Sequence, residues 1–333
     1  MLKSFLAGGL MTAVMFIGGA NADPLKIGLV QIDLSNPFHV GEVEGAKEAA
    51  RRYGFDLRVT SGEGDVNKQI QAFENLINEK VDAIAVNFID VGAFGPAMAK
   101  AKAANIPVVC LHSRTEGCAK VLGFDERFTG RIVGEYAVKL LEEKNGGPKG
   151  QVANLQGLLG QGLNTDRSGG FTDVTSKYPD IKMVAQEPTN WDPNKAVQIT
   201  ENWLTAYPKL DLIYGNSDSL TVPAGKTLKR ADRTDILLVS VDGSKEGLDA
   251  VKGGMLKSTV LLAPQYSGFW KAAMPYLVAT KKAPDGDFLI QGVLVTKDNV
   301  DAMLKIADDM AKDAKDFPFD KPLKEVVAQY SKK

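Results

Sequence analysis

An α/β fold of two similar, doubly wound parallel-sheet units is predicted by three features of this 333-residue sequence. From Leu25 onward, short β-rich runs alternate with helical stretches, the pattern of strand–helix–strand units. The β-rich runs are continuously apolar, as strands covered on both faces of a parallel sheet are. The alternation breaks at Gly146-Gly147-Pro148-Lys149-Gly150 and then resumes. Two units of modest size fit that length better than one very large sheet.

The first residues stand apart from this pattern. Lys3 supplies a positive start, Leu6 to Gly19 is an uncharged apolar run, and Ala20-Asn21-Ala22 has the small-x-small form of a cleavage site. These features predict a signal peptide over 1–22, cleaved after Ala22 in an exported chain; an uncleaved anchor is the alternative. Strands are then predicted at Lys26–Val30, Asp56–Thr60, Ala83–Asn87 and Pro107–Leu111, with helices near 38–53, 67–80 and 93–104. Ile70, Phe73 and Ile77 give the second of these helices one apolar face. Val121–Phe124 leads into a helix near 127–144.

Beyond the glycine-rich break, strands are predicted at Val152–Leu155, Lys182–Gln186, Leu210–Tyr214 and Leu237–Val241. The helices between and after them lie near 165–178, 193–206, 218–230 and 245–252. The last third is not a simple continuation. A strand at Thr259–Leu262, a helix at Tyr266–Lys281, one β-rich stretch at Phe288–Thr296 and a helix from Asp298 precede a polar tail.

Forty basic and 41 acidic residues give a formal net charge of −1, which makes no electrostatic case for nucleic acid or an anionic membrane surface. Cys110 and Cys118 are the two cysteines. An oxidising compartment favours their pairing, and the alternative is one buried thiol and one in a loop, since spacing does not define geometry. His39 and His112, the two histidines, complete no usual zinc spacing, so no metal or other cofactor is expected.

The polar residues that follow the strands form a set: Asn36-Pro37-Phe38, Asn105-Ile106-Pro107-Val108-Val109, Arg167 with Gly170-Phe171, Asn216-Ser217-Asp218 and Val241-Asp242-Gly243-Ser244. In this order and spacing, from Lys26 to about Val295, the chain resembles the periplasmic sugar-binding proteins of the ribose-binding type. That resemblance implies two doubly wound lobes joined by a three-crossing hinge, the type I periplasmic binding protein architecture, with a sugar in the cleft between them. By position the crossings fall near Phe124–Asp125, Leu262–Ala263 and Gln291–Gly292. The N-terminal lobe is then 23–124 plus 263–291, and the C-terminal lobe 125–262 plus 292–333.

The resemblance also implies a ligand set. Asn36 matches a contact whose amide both donates and accepts, as a hydroxyl requires; ordinary turn chemistry is its alternative. Phe38 and Trp191 match aromatic positions, one per lobe, whose flat faces suit the C–H side of a sugar ring. Trp203 and Trp270 fall inside helices and are expected in the core. Arg167 and Asp242 match charged contacts that give directional, charge-assisted bonds, with a salt bridge and a helix N-cap as their respective alternatives. For Asp218, capping and contact are both open.

Four departures bear on the cargo. His39 replaces a second aromatic, His112-Ser113 replaces Asp-Arg, Ser217 replaces Asn, and Leu262 replaces Gln. Shortened or lost hydrogen-bonding groups make ribose itself insecure, leave room for a bulkier ligand, and make that end less suited to hydroxyls. The histidines are expected to make binding sensitive to pH near their ordinary pKa.

Enzyme readings fare poorly. Gly157-Leu158-Leu159-Gly160-Gln161-Gly162 lacks both the Gly-Lys-Ser/Thr ending of a phosphate-binding loop and the dinucleotide spacing. No nucleophile elbow is present. A repressor of this architecture would need a DNA-binding domain where the leader stands. The expectation is a monomeric periplasmic receptor, not an enzyme, that passes a sugar or polyol to the permease of an ABC importer. A sensor that presents its ligand to a membrane chemoreceptor or kinase is the alternative.

Overall fold

The computed structural model describes residues 23–35, 37–312 and 314–330. The predicted leader, 1–22, lies outside the described residues, as does Asn36. The chain opens with β1 (Lys26–Gln31), α1 (Pro37–Tyr53), β2 (Asp56–Ser61), α2 (Val66–Asn78), β3 (Ala83–Asn87), α3 (Gly95–Ala103), β4 (Val108–Leu111) and β5 (Cys118–Phe124). Every residue of β3 and β4 is buried, which is why these strands read as unbroken apolar runs. Asp65 starts α2 by accepting from the Lys68 amide at 2.9 Å, satisfying one of the amides that the first turn leaves orphaned.

The second unit contains α4 (Glu126–Asn145), β6 (Gly150–Gln156), α5 (Gly162–Thr175), β7 (Ile181–Pro188), α6 (Pro193–Ala206), β8 (Leu210–Gly215), α7 (Asp218–Arg230), β9 (Leu237–Val239), α8 (Lys245–Lys252) and β10 (Thr259–Leu261). Gly146 closes α4 in the left-handed region at φ 67°, the cap that only glycine adopts at no steric cost. The chain ends with α9 (Pro264–Ala279), β11 (Phe288–Ile290), β12 (Val293–Val295), α10 (Val300–Lys312) and α11 (Leu323–Tyr330).

Among the described residues, one sheet has the order β2-β1-β3-β4-β5-β11 and the other β7-β6-β8-β9. All pairings within both are parallel. Bridges Val239–Ser258 and Asp242–Leu261 bring β10 alongside β9, and β12 runs antiparallel to β10. Each lobe therefore repeats one strand order, with a switch point beside its first strand, and the crevice outside the carboxyl ends of such strands is where ligands sit.

The chain passes between the sheets after Phe124, after Leu261 and between Ile290 and Val293. The β-rich stretch read from sequence as one piece is thus two strands that serve different sheets. In each lobe a helix pair crosses on glycines. A Cβ on Gly45 or Gly268 would run into the backbone of the facing helix in the α1–α9 pair, as would one on Gly130 or Gly170 in the α4–α5 pair.

The tail assigned from sequence to the C-terminal lobe as a single piece, 292–333, is divided. Lys252 of α8 pairs with Asp301 of α10 at 2.7 Å. Residues 314–321 instead lie on the N-terminal lobe, because Arg52 of α1 donates to the carbonyls of Ala314, Lys315 and Phe317 at 2.7, 2.9 and 2.7 Å. The Arg52 guanidinium also covers the rings of Phe269 and Phe319, and the Tyr266 hydroxyl donates to the Lys321 carbonyl at 2.7 Å.

Candidate functional site

At the strand ends of the C-terminal lobe, three segments converge on Arg167, which α5 carries in a buried position. Its Nε donates to Glu126 Oε2 at 2.6 Å and its Nη2 to Glu126 Oε1 at 3.2 Å. Its Nη1 donates to the Asn216 carbonyl at 2.7 Å and to Asp242 Oδ1 at 3.0 Å. Burial works against the arginine charge, but Glu126 and Asp242 outweigh it and raise its pKa. Arg167 is therefore a fixed cation aimed by two carboxylates.

Asp242 sits at φ 114° just beyond β9, a backbone region that costs a non-glycine residue energy and that recurs at functional sites. Its Oδ2 accepts from the Ser217 hydroxyl at 2.5 Å, while its side chain keeps 20% exposure. Two bonds leave part of the acceptor capacity of a carboxylate open. Capping does not explain Asp242: the α8 cap is Ser244, which accepts from the Gly247 amide at 3.0 Å. Ser217 is itself the N-cap of α7.

Asp218 belongs to the framework of this lobe. Its Oδ2 accepts from the amide and hydroxyl of Ser244 at 2.8 and 2.9 Å, and its Oδ1 from the Thr259 hydroxyl at 2.7 Å. Burial, and then the neighbouring Asp242 charge, push its pKa up to about 7. Burial likewise raises Asp242, against the pull of Arg167.

Trp191 follows β7, half-buried, at φ 62°. Across the hinge, Phe38 at the start of α1 meets Phe124 edge-on at 6.4 Å, and Phe124 lies 5.7 Å from the His112 ring. His39 turns back on its own loop, with Nδ1 at 3.1 Å from the Asp33 carbonyl and 3.4 Å from its carboxylate. His112 takes φ 65° and donates its amide to the Leu122 carbonyl at 2.8 Å. Ser113 donates to the Leu111 carbonyl at 2.8 Å. Both lie within a loop closed by a disulfide between Cys110 and Cys118, whose Cα atoms are 5.7 Å apart.

Two sequence expectations need correction. Burial, followed by the charges of Lys271, Arg167 and His39, holds His112 well below the ordinary histidine range. Its titration therefore falls well below the ordinary histidine range expected from sequence. Leu262 is 1% exposed and packs on Gly292 at the third crossing, where an added Cβ would come within 2.9 Å of its Cδ2. It is buried beside Gly292, where the second and third crossings lie side by side. Trp203 lies in the core, and Trp270 is half-buried against Phe288 at 4.7 Å.

Sequence reasoning missed a second buried ion pair, under the N-terminal lobe's strand ends. Lys271 Nζ lies 2.5 Å from Glu42 Oε1, with exposures of 1% and 0%. Ser267 donates to the same oxygen and Gln31 to Oε2, each at 3.0 Å. Asn87 ends β3 beside them, its amide 3.5 Å from the Gln31 side chain. The usable signal was a lone lysine inside the apolar run Phe269-Trp270-Lys271-Ala272-Ala273, since a charge there has to be paired. Among the described residues no cluster of His, Cys, Asp and Glu is arranged to hold a metal. None of their helices is long and apolar enough to cross a membrane.

Comparison with known proteins bears on this geometry. The family described as periplasmic binding protein domain matches residues 27–283. The xylitol-binding protein of Mycolicibacterium smegmatis is 31% identical over 291 residues, 86% of this chain and 81% of that one. A ribose import binding protein of Escherichia coli is 28% identical over 264 residues, 78% of this chain and 87% of its own length. A solved ABC transporter solute binding protein from Mycobacterium smegmatis, with bound glycerol, superposes with a TM-score of 0.77 at 30% identity. That superposition covers 84% of this chain and 96% of the other.

Proposed function

The chain belongs to the periplasmic binding protein domain family, and from that premise we propose that it captures a sugar or sugar-like polyol between its lobes and delivers it to an ABC-type importer. The family consists of receptors, not enzymes. The observation that carries the reading is the Arg167–Asp242–Ser217 group. It is a paired, half-open set of charged and hydroxyl donors and acceptors at the carboxyl ends of a doubly wound sheet. The xylitol and ribose of the relatives' names, and the glycerol of the solved relative, are of the class such a group serves.

In this reading Phe38 and Trp191 cover the apolar faces of the ligand, and Asn36, His112, Ser113, Arg167, Ser217 and Asp242 meet its hydroxyls. His39 orders the loop beside Phe38, and Leu262 acts through the hinge. The carboxylates of Glu42, Glu126 and the partly exposed Asp242 outnumber the cations of Lys271 and Arg167 that they pair with, which favours an uncharged ligand over a sugar phosphate. Closure removes water and strengthens these bonds, so ligand shifts the population toward the closed state. A micromolar affinity, about −8 kcal/mol, is within reach of such a set after binding costs. We assign the leader to 1–22 with cleavage after Ala22, a monomeric mature form, and lobes of 23–124 plus 263–291 and of 125–262 plus 292–312.

Ligand-stripped protein screened by thermal shift tests this. A sugar or polyol at 100 times its dissociation constant adds about 2.7 kcal/mol of stability, whereas amino acids and nucleosides leave the midpoint in place. Asp242→Asn abolishes the ligand shift and moves the apo midpoint by only a few degrees. A shift with amino acids alone overturns the ligand class. Unchanged uptake after deletion of the protein would favour a role in presenting ligand to a chemoreceptor.

A further inference from the structure

The glycine-rich loop that fails as a phosphate site has a different use in the structure. Residues 157–161 link β6 to α5 and lie against the loop that carries Trp191. Trp191 Nε1 donates to the Gln161 side-chain oxygen at 2.7 Å. Asn190 donates its amide to the Gly157 carbonyl at 3.2 Å. Thr189 ties the base of its loop to Gln156, through its amide at 2.9 Å and its hydroxyl at 2.7 Å, and accepts from the Trp191 amide at 3.1 Å. Asn190 and Trp191 are successive left-handed residues, at φ 57° and 62°, a costly arrangement that persists only where its surroundings hold it.

Gly157 lies directly under the indole. A Cβ there would overlap Trp191 Cζ2, Cη2 and Cε2, so no other residue lets the ring lie flat on this loop. The same loop connects to the charged group. Asn164, 2% exposed, accepts from the Gly157 amide at 2.8 Å and from the Asn216 side chain at 2.7 Å. The Asn216 carbonyl is the one that receives Arg167. A continuous set of bonds thus runs from indole to guanidinium within one lobe.

We propose that the 157–161 loop is the mount of Trp191, with Gln161 as its positioning residue, and that it sets the spacing between the stacking face and Arg167. This rests on the reading of Trp191 as a ligand face. It adds that the indole meets the ligand with its face alone, because its single donor is spent on Gln161. Specificity on this side then comes from the distance between a flat apolar surface and a fixed cation, as preorganised sites require.

The test uses the full mature chain labelled with ¹⁵N. Its three tryptophans give three indole cross-peaks, and Trp191→Phe identifies the relevant one. In the ligand-free protein, Gln161→Leu shifts that peak and leaves the other two in place. Affinity for xylitol or D-ribose, whichever binds, falls roughly three- to tenfold, the size of one lost hydrogen bond. In a Trp191→Phe background the same change alters affinity less than about twofold, as coupling through one partner demands. Gly157→Ala is expected to cost more, by tilting the ring.

An unmoved Trp191 peak in Gln161→Leu, or an equal loss of affinity in both backgrounds, overturns the proposal. If Trp191→Phe itself leaves affinity unchanged, the ligand-face reading fails. The ligand-free spectrum still decides whether the loop holds the indole.

Discussion

The two lobes solve one packing problem with opposite charges. Each places an ion pair beneath its strand ends, where two helices cross on glycines. In the N-terminal lobe the acid is on the helix after the first strand (Glu42, α1) and the base on its partner (Lys271, α9). In the C-terminal lobe the base follows the first strand (Arg167, α5) and the acid is on the partner (Glu126, α4). What differs is what remains open. Gln31 and Ser267 join Lys271 on Glu42, and that pair is closed to solvent. Arg167 is shared with Asp242, which still faces outward. One pair is framework, and the other is framework that also presents a carboxylate. In the proposed reading the N-terminal lobe then offers Phe38 and His112, and the C-terminal lobe offers Trp191 and the charge-assisted bonds of Arg167 and Asp242.

The largest effect is expected from breaking the closed pair. Lys271→Met strands a buried carboxylate and should cost about 3–5 kcal/mol, read as a fall in the urea midpoint. Adding Glu42→Gln should restore much of it, because the stranded charge, not the lost attraction, is the main penalty. If the double variant is as unstable as the single one, the pair is not a closed framework unit and the contrast between lobes fails.

Titration offers the next comparison, since a buried group in each lobe shifts stability with pH in the opposite direction. Asp218 is raised to about 7, above its unfolded value. Its stabilising contribution is full below the ordinary carboxylate pKa and is lost as pH rises from there through about 7. His112 is depressed, so stability linked to it is present above the ordinary histidine pKa and is lost as pH falls below it. Asp218→Asn should remove the fall in midpoint between about pH 4 and pH 7, raising the midpoint at pH 8 by several degrees and leaving pH 4 nearly unchanged. His112→Gln should instead remove the loss of stability as pH falls below the ordinary histidine pKa, a slope of the opposite sign. The same slope in both variants would remove the assignment.

The smallest effect concerns the tail. Arg52→Ala removes three donated bonds and one ring contact, with Phe319, that hold 314–321, at a cost of about 1–3 kcal/mol. Proteolysis near residue 314 should accelerate while ligand affinity changes little. Resistance equal to that of the parent would mean the tail is held elsewhere.

Local pattern carried most of the fold into view. Buried parallel strands leave apolar runs, helices leave a 3.6-residue period, and Gly146 marks a helix end, all within a few residues of one another. Trp191, Arg167 and Asp242 were singled out by the resemblance to ribose-type binding proteins, which local pattern alone would not have supplied. By itself, then, the sequence determined the alternation, the repeat of two lobes and the class of side chain at their strand ends.

Tertiary structure alone decided who partners whom, and therefore what each group can do. Arg167 meets Glu126 and Asp242 across 41 and 75 residues, and Glu42 meets Lys271 only because α9 returns to the N-terminal lobe after the second crossing. Burial, and then the charges of distant Lys271 and Arg167, hold the His112 pKa below the ordinary histidine range, and Leu262 fills the hinge because Gly292 comes back to lie on it. Periodicity is a property of neighbours along the chain. Charge, burial and protonation are properties of neighbours in space, and in a chain that crosses between two lobes those are different residues.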